Sequence, residues 1–224
     1  MRLAIAVGIA SIIALPVSAA PVQKLRTVCQ MIVDDQGRSL VSEGKCSDRI
    51  SPASTFKVPL SLMGFDDGYL KSPSAPKLPV KKGYNLYLPE WGQATDPQRW
   101  MRYSVVWYSQ EIVKALGEEK LRNYLRELQY GNQDMSGHKG ADPKMGFWIG
   151  SSLKISPAEQ VGFMRKFMSG NLHFSKGAIE NTKAIMDLGV QKNGCHLFGK
   201  TGSGTPRTKD GKRLKNETFG WFVG

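Results

Sequence analysis

The apolar positions of the chain fall into stretches of distinct period. Residues 3–15 form one apolar run behind Arg2, interrupted only by Ser11. Residues 27–33 and 39–41 are short β-type runs that predict a first hairpin, with Gly37-Arg38 as a two-residue turn of the Gly-first kind. After a connecting loop over 44–52, Phe56, Leu60, Met63 and Val58, Leu62, Phe65 recur at helical spacing. They predict a helix that opens at Ser54 and ends by Gly68. Pro59 lies inside it and must remove one backbone hydrogen bond. Residues 71–97 carry five prolines (Pro73, Pro76, Pro79, Pro89 and Pro97) and are expected to be loop. Residues 100–116 and 118–128 are helical in pattern, broken at Gly117, and 129–144 is a polar, Gly-rich loop. Ser156 and Glu159 form a capping box at the head of a helix reaching 168, and a further helix covers 175–186. Residues 194–202 and 219–223 predict strands, joined by the Lys-rich segment 204–217. Strands, then helices, then strands describe an α+β fold: an antiparallel sheet from both chain ends with a helical subdomain between.

Size and charge narrow the picture. A chain of 224 residues with 41% hydrophobic content supports one or two domains and a sizeable core. The net charge of +12 is spread along the chain except at 207–215, with no aromatic interleaving, so it describes a basic surface and not a nucleic-acid partner. The run 3–15 is too short to span a bilayer comfortably. With Arg2 before it and Val17-Ser18-Ala19 after it, the run predicts a secretory signal peptide cleaved after Ala19. The mature chain, 20–224, is expected to be one exported, periplasmic domain with no stable membrane partner. Three cysteines in an exported chain point to one disulfide and one spare thiol. Counting outward from a Gly37-Arg38 turn sets Cys29 opposite Cys46 as a non-hydrogen-bonded pair, which predicts a cross-strand disulfide. Cys195 is expected to be a small buried strand residue. His138, His173 and His196 lack ligand spacing, so no metal is expected.

The candidate chemistry starts at Ser54 and Lys57. Three residues apart on a helix, they share a face. A serine hydroxyl needs a base before it attacks. A lysine, with an ordinary pKa of about 10.4, can be that base only when desolvated or chemically modified. Ser42, Ser74, Ser136 and Ser151 also have a lysine three residues on, but only Ser54 is followed at once by an apolar helical run. Further along, Tyr103-Ser104-Val105-Val106-Trp107 offers a second serine at a helix start. Tyr130-Gly131-Asn132 is a tight turn. Lys200-Thr201-Gly202 lies on a strand where glycine lets a ligand approach the backbone.

Taken in order, Ser-x-x-Lys, Ser-x-Val, Tyr-Gly-Asn and Lys-Thr-Gly, with Phe147-Trp148 and Trp221-Phe222-Val223-Gly224, resemble the class D β-lactamases, the oxacillinase family. The resemblance covers residues 25–224. It implies that Ser54 attacks the lactam carbonyl. Lys57 would be N6-carboxylated by carbon dioxide or bicarbonate and serve as base for acylation and deacylation, with no other cofactor. Trp148 would donate its indole N–H to the carbamate, and Val105 and Ile149 would keep that pocket dry. Ser104 would relay the proton to the lactam nitrogen, and Lys200 would hold positive charge near Ser104 and the substrate carboxylate. Thr201 would bond that carboxylate, and the backbone N–H groups of Ser54 and Ser203 would form the oxyanion hole. Tyr130 and Asn132 would shape the site.

The family continues past this point with another strand and a C-terminal helix, so residues 1–224 alone are expected to be part of a longer protein, poorly folded and nearly inactive by themselves. Three other functions compete. A β-lactam sensor domain shares Ser-x-x-Lys and an acylated serine but deacylates slowly and hangs from several membrane spans. A penicillin-binding transpeptidase carries Ser-x-Asn where this chain has Ser104-Val105-Val106. A basic surface-binding protein with a dead site is opposed by the intact Ser54, Lys57 and Lys200.

Overall fold

Turn chemistry at Asp34 sets the first hairpin. The Asp34 backbone carbonyl accepts from Gly37 N–H at 3.0 Å, and its N–H donates to Arg38 O at 3.0 Å. Its carboxylate accepts from Arg38 N–H at 2.8 Å. Asp35 and Gln36 are therefore the turn residues, and Gly37 occupies the left-handed position after them with φ 82°. This corrects the expected Gly37-Arg38 turn. The register moves with it: strands β1 (Cys29–Val33) and β2 (Ser39–Gly44) pair Cys29 with Gly44, not with Cys46. The disulfide forms all the same, with Cα atoms 5.1 Å apart. Gly44, at φ 84°, lets the chain curl back where a Cβ would collide with Val28 O. Lys45 N–H then bonds Val28 O at 2.8 Å, which brings Cys46 beside Cys29.

Residues 28–138, 146–208, 210, 212–214 and 217–224 are described by the computed structural model. The expected leader, 1–19, lies outside them. The central element is α1 (Lys57–Asp66), entered through a 3-10 turn, Ala53–Phe56. Its residues from Lys57 to Phe65 are all buried, as expected of a helix enclosed on every side. Pro59 costs little there, because it is the third residue of α1 and first-turn N–H groups have no intrahelical acceptor. Helices α3 (Val106–Glu127) and α5 (Lys176–Met186) pack on α1. Short α2 (Pro97–Tyr103), capped by Asp96, packs on α5. The capping box of Ser156 and Glu159 opens α4 (Pro157–Met168), and Gly117 kinks α3 with φ 76°. No helix among the described residues is long and apolar enough to cross a membrane.

Four further departures from the sequence reading concern the second half of the chain and Ser104. The stretch 194–202 is two strands, β4 (His196–Phe198) and β5 (Lys200–Gly204), separated at Gly199. β4 pairs with a strand missed in the sequence, β3 (Asp187–Val190), and β5 pairs with β6 (Phe219–Val223). Cys195 sits in the turn ahead of β4 and is free and exposed, not a buried strand residue, because the hairpin tip projects into solvent. The helical run expected over 100–116 is interrupted at Ser104, whose left-handed backbone (φ 54°, ψ 36°) ends α2 and redirects the chain into α3. The antiparallel hairpins β1–β2 and β5–β6 come from the two ends of the chain, as expected. Among the described residues they are separate two-stranded sheets, each packed against α4.

Candidate active site

Backbone strain marks two corners of this region that present serines, besides Gln129 and Gln133 on either side of the Tyr130–Asn132 turn. Ala53 is held at φ 48° and Ser104 at φ 54°, conformations that cost a non-glycine residue about 1–3 kcal/mol each. Each corner presents a serine. Around the first, residues 51–53 and 55–65 are buried, while Ser54 alone remains partly open. Its Oγ lies 3.4 Å from Lys57 Nζ. That contact is long for a hydrogen bond, and it is the one hydrogen bond of Nζ among the described residues.

Lys57 is fully buried. Desolvation, and secondarily the charge of Lys200, push its amine well below the ordinary lysine range. Lys200 is also buried, and burial brings it down to about 8. The charge of Lys200 thus adds to burial in disfavouring the protonated form of Lys57. Lys200 keeps good partners: Nζ donates to Ser104 Oγ at 2.6 Å and to Thr201 O at 2.9 Å, with Thr201 Oγ1 at 3.4 Å.

Each corner is pinned by indoles. Trp91 Nε1 donates to Tyr103 O at 2.9 Å and Trp107 Nε1 to Trp91 O at 2.9 Å, which fixes the carbonyl just ahead of Ser104. Val105, beyond the corner, is fully buried. Trp221 Nε1 donates to Ser51 O at 2.9 Å, and Ala53 N–H donates to Trp148 O at 3.0 Å. The Trp148 ring is buried and stacks on Phe56, the neighbour of Lys57, with centroids 5.6 Å apart. Ile149 is half-buried against the core. β5 completes the assembly: Gly202 presses so close that a Cβ would stand 3.0 Å from both Pro52 O and Thr55 N. Thr201 and Ser203 alternate outward and are exposed.

Tyr130 and Asn132 do not present free polar groups. Tyr130 is buried edge-on to Phe56 at 5.8 Å, and its hydroxyl donates to Gln160 Oε1 at 3.3 Å. Burial pushes its phenol up, so it stays neutral. Asn132 donates from Nδ2 to Ser152 O at 2.9 Å and accepts from Lys154 N–H at 2.8 Å. Its side chain holds the turn together.

The sequence reading missed a buried polar layer behind Ser54. Gln160 Nε2 donates to Thr55 Oγ1 at 2.8 Å, and Thr55 Oγ1 donates to Pro52 O at 2.7 Å. Ser51 Oγ donates to Trp148 O at 2.7 Å and accepts from Gly150 N–H at 2.7 Å. Ser51 and Thr55 flank the nucleophile candidate, and that adjacency was the only local signal.

The pairs Ser54–Lys57 and Ser104–Lys200 thus make one site, a serine and a lysine on each side of it. Residues 26–224 match the penicillin binding protein transpeptidase domain. The chain is 37% identical over 217 residues to β-lactamase OXA-9 of Klebsiella pneumoniae, spanning 94% of this chain and 78% of that protein. It superposes on the crystal structure of the class D β-lactamase OXA-427 with a TM-score of 0.83 and 42% identity, covering 88% and 82% of the two chains. The methicillin resistance protein mecR1 of Staphylococcus aureus is 35% identical over 190 residues, 85% of this chain but 30% of mecR1. The chain belongs to the class D β-lactamases, with the α+β fold of that family.

Proposed function

We propose that the protein is an exported hydrolase that opens the ring of penicillin-type β-lactams through an acyl ester on Ser54 and so confers resistance to them. The observation that carries this reading is the Ser54–Lys57 contact of 3.4 Å inside a dry enclosure. A fully buried ammonium with one long hydrogen bond is poorly satisfied. A neutral amine is better tolerated there, and only a neutral amine adds carbon dioxide. The lysine therefore fits N-carboxylation, and the resulting carbamate supplies the base for both proton transfers.

Ser54 loses its hydroxyl proton as Oγ bonds to the lactam carbonyl carbon. The developing oxyanion is directed at the backbone N–H groups of Ser54 and Ser203, donors worth about 3–4 kcal/mol apiece in such sites. As the C–N bond breaks, Ser104 gives its proton to the departing nitrogen, and Lys200, 2.6 Å away, replaces it. Lys200 and Thr201 face the substrate carboxylate, Gly202 admits the ligand close to the strand, and Trp148, Val105 and Ile149 keep water from the lysine. Solvent returns the proton from the lysine carbamate to Lys200, and the carbamate then takes a proton from the water that attacks the ester and passes it to the departing Ser54 Oγ. Tyr130 and Asn132 shape the surrounding loop.

The likeness to the C-terminal domain of the Bacillus licheniformis BlaR penicillin-receptor, 32% identical with a TM-score of 0.67, favours a second reading, a receptor that acylates but turns over slowly. Mixing the protein with a chromogenic cephalosporin, with and without bicarbonate, separates the two. Sustained turnover stimulated by bicarbonate supports the hydrolase. A single stoichiometric burst supports the receptor and overturns the proposal.

A further inference from the structure

Two turns with left-handed backbone meet behind the active site, and one hydroxyl joins them. The first turn carries Ala53 at φ 48° and leads into Ser54 and Lys57; the second carries Gly150 at φ 59° and follows Trp148. At Gly150 a Cβ would come within 2.8 Å of Thr205 O, so that turn is crowded from the outside as well. Ser51 is buried between the two. Its Oγ donates to Trp148 O and accepts from Gly150 N–H, both at 2.7 Å, and lies 3.4 Å from Ala53 N. Its own carbonyl is held by Trp221 of β6. No other side chain among the described residues bonds both turns.

We infer that Ser51 is a positioning residue: its hydroxyl sets the Trp148 indole against Phe56, the residue before Lys57, by tying the turn that carries the indole to the turn that carries the nucleophile. This rests on the reading of Lys57 as a carbamate sheltered by Trp148. Removing the hydroxyl leaves Gly150 N–H without its acceptor and Trp148 O with Ala53 N–H as its remaining donor. A buried backbone donor left unmet favours movement of its turn. The turn that moves is the one that places the indole, so the first property to suffer is the affinity of Lys57 for carbon dioxide. The nucleophile itself is still held by Thr55 and by β5.

The test compares wild type with Ser51→Ala, Ser51→Cys and Ser51→Thr. Turnover of a chromogenic cephalosporin is titrated with bicarbonate from carbon-dioxide-free buffer, the lysine carbamate is followed by 13C NMR with labelled bicarbonate, and melting temperature is recorded for each. For Ser51→Ala the bicarbonate giving half-maximal turnover rises roughly tenfold, the scale of one or two buried hydrogen bonds. The rate at saturating bicarbonate returns close to wild type. Ser51→Thr, which keeps the hydroxyl, stays near wild type, and Ser51→Cys, which keeps the shape with a weaker bond, falls between. Should Ser51→Ala fail to fold, the ordering of Thr and Cys decides. An unchanged bicarbonate requirement across the variants, whatever happens to melting temperature, overturns the positioning role and leaves the carbamate reading standing. Absence of any carbamate signal or bicarbonate effect in wild type overturns both.

Discussion

Lys200 donates to the Ser104 hydroxyl at 2.6 Å across 96 residues of chain. The bond joins a strained corner to the first residue of β5. It also fixes a cation whose proton is weakly held, because burial brings Lys200 to about 8.

That value sets an alkaline limit. The proposed relay needs Lys200 protonated, and the proton is present below about 8 and lost above it. The expected profile of kcat/KM therefore falls as pH rises through about 8. Lys200→Arg keeps its charge throughout this range, so any activity it retains shows no such limb. A flat wild-type profile to pH 10 would remove Lys200 from the relay.

Replacing Lys57 separates catalysis from stability. Lys57→Met is expected to lower turnover by about 10²–10⁴, the range for losing a general base. It is also expected to raise stability by about 1–4 kcal/mol, because a buried amine that must shed its proton to be tolerated gives way to an apolar side chain. The pH dependence has a definite sign. The folded pKa is depressed, so between it and about 10.4 the unfolded chain binds more protons and wild-type stability rises with pH. The advantage of the variant is thus largest at low pH and shrinks toward pH 10. Chemical denaturation in carbon-dioxide-free buffer at several pH values measures it.

The approach of β5 to the nucleophile turn is tested at Gly202. Its added Cβ would meet backbone atoms, Pro52 O and Thr55 N, at 3.0 Å, and backbone cannot swing aside. Gly202→Ala is expected to cost about 1–3 kcal/mol of stability through overpacking and to lower kcat by about tenfold, the factor for roughly 1.4 kcal/mol lost from the transition state. Gly220→Ala on the partner strand is the control, since its Cβ has nothing closer than 4.0 Å. Equal behaviour of the two variants would show that contact at Gly202 does not matter.

The disulfide should act on stability alone. Cys29 and Cys46 are 17 residues apart, a loop for which chain entropy predicts a contribution of about 3 kcal/mol. The double replacement by alanine is expected to lower the unfolding free energy, measured by chemical denaturation, by that amount while leaving kcat of the folded fraction unchanged. A fall in kcat would tie the first hairpin to the site.

What could be read from the chain alone follows the range of the forces involved. The helix from Ser54, the capping box at Ser156 and Glu159 and the break at Gly117 rest on neighbours within one or two turns, and all are visible in the pattern of residues. The first hairpin was legible in outline, but its turn depends on Asp34 accepting from Gly37 and Arg38, which counting from Gly37-Arg38 overlooks. The corner at Ser104 has no glycine to announce it; it is held by Trp91, far back in a proline-rich loop. Ser51, Thr55 and Gln160 were passed over because a serine, threonine or glutamine shows its burial only when remote backbone closes over it. The motif residues Ser54, Lys57, Ser104 and Lys200 do meet in space, whereas Asn132 spends its amide on the backbone of Ser152 and Lys154.

The long reach of Lys200 also makes the order of assembly observable. The backbone hydrogen bonds of helices α1 to α5 are local, while the bond from β5 to Ser104, like the packing of α5 on α1, must wait for a large loop to close, a slow event for any chain. In a stopped-flow refolding experiment, far-ultraviolet circular dichroism should recover ahead of enzymatic competence, and the delay between the two signals would time the docking of a single strand.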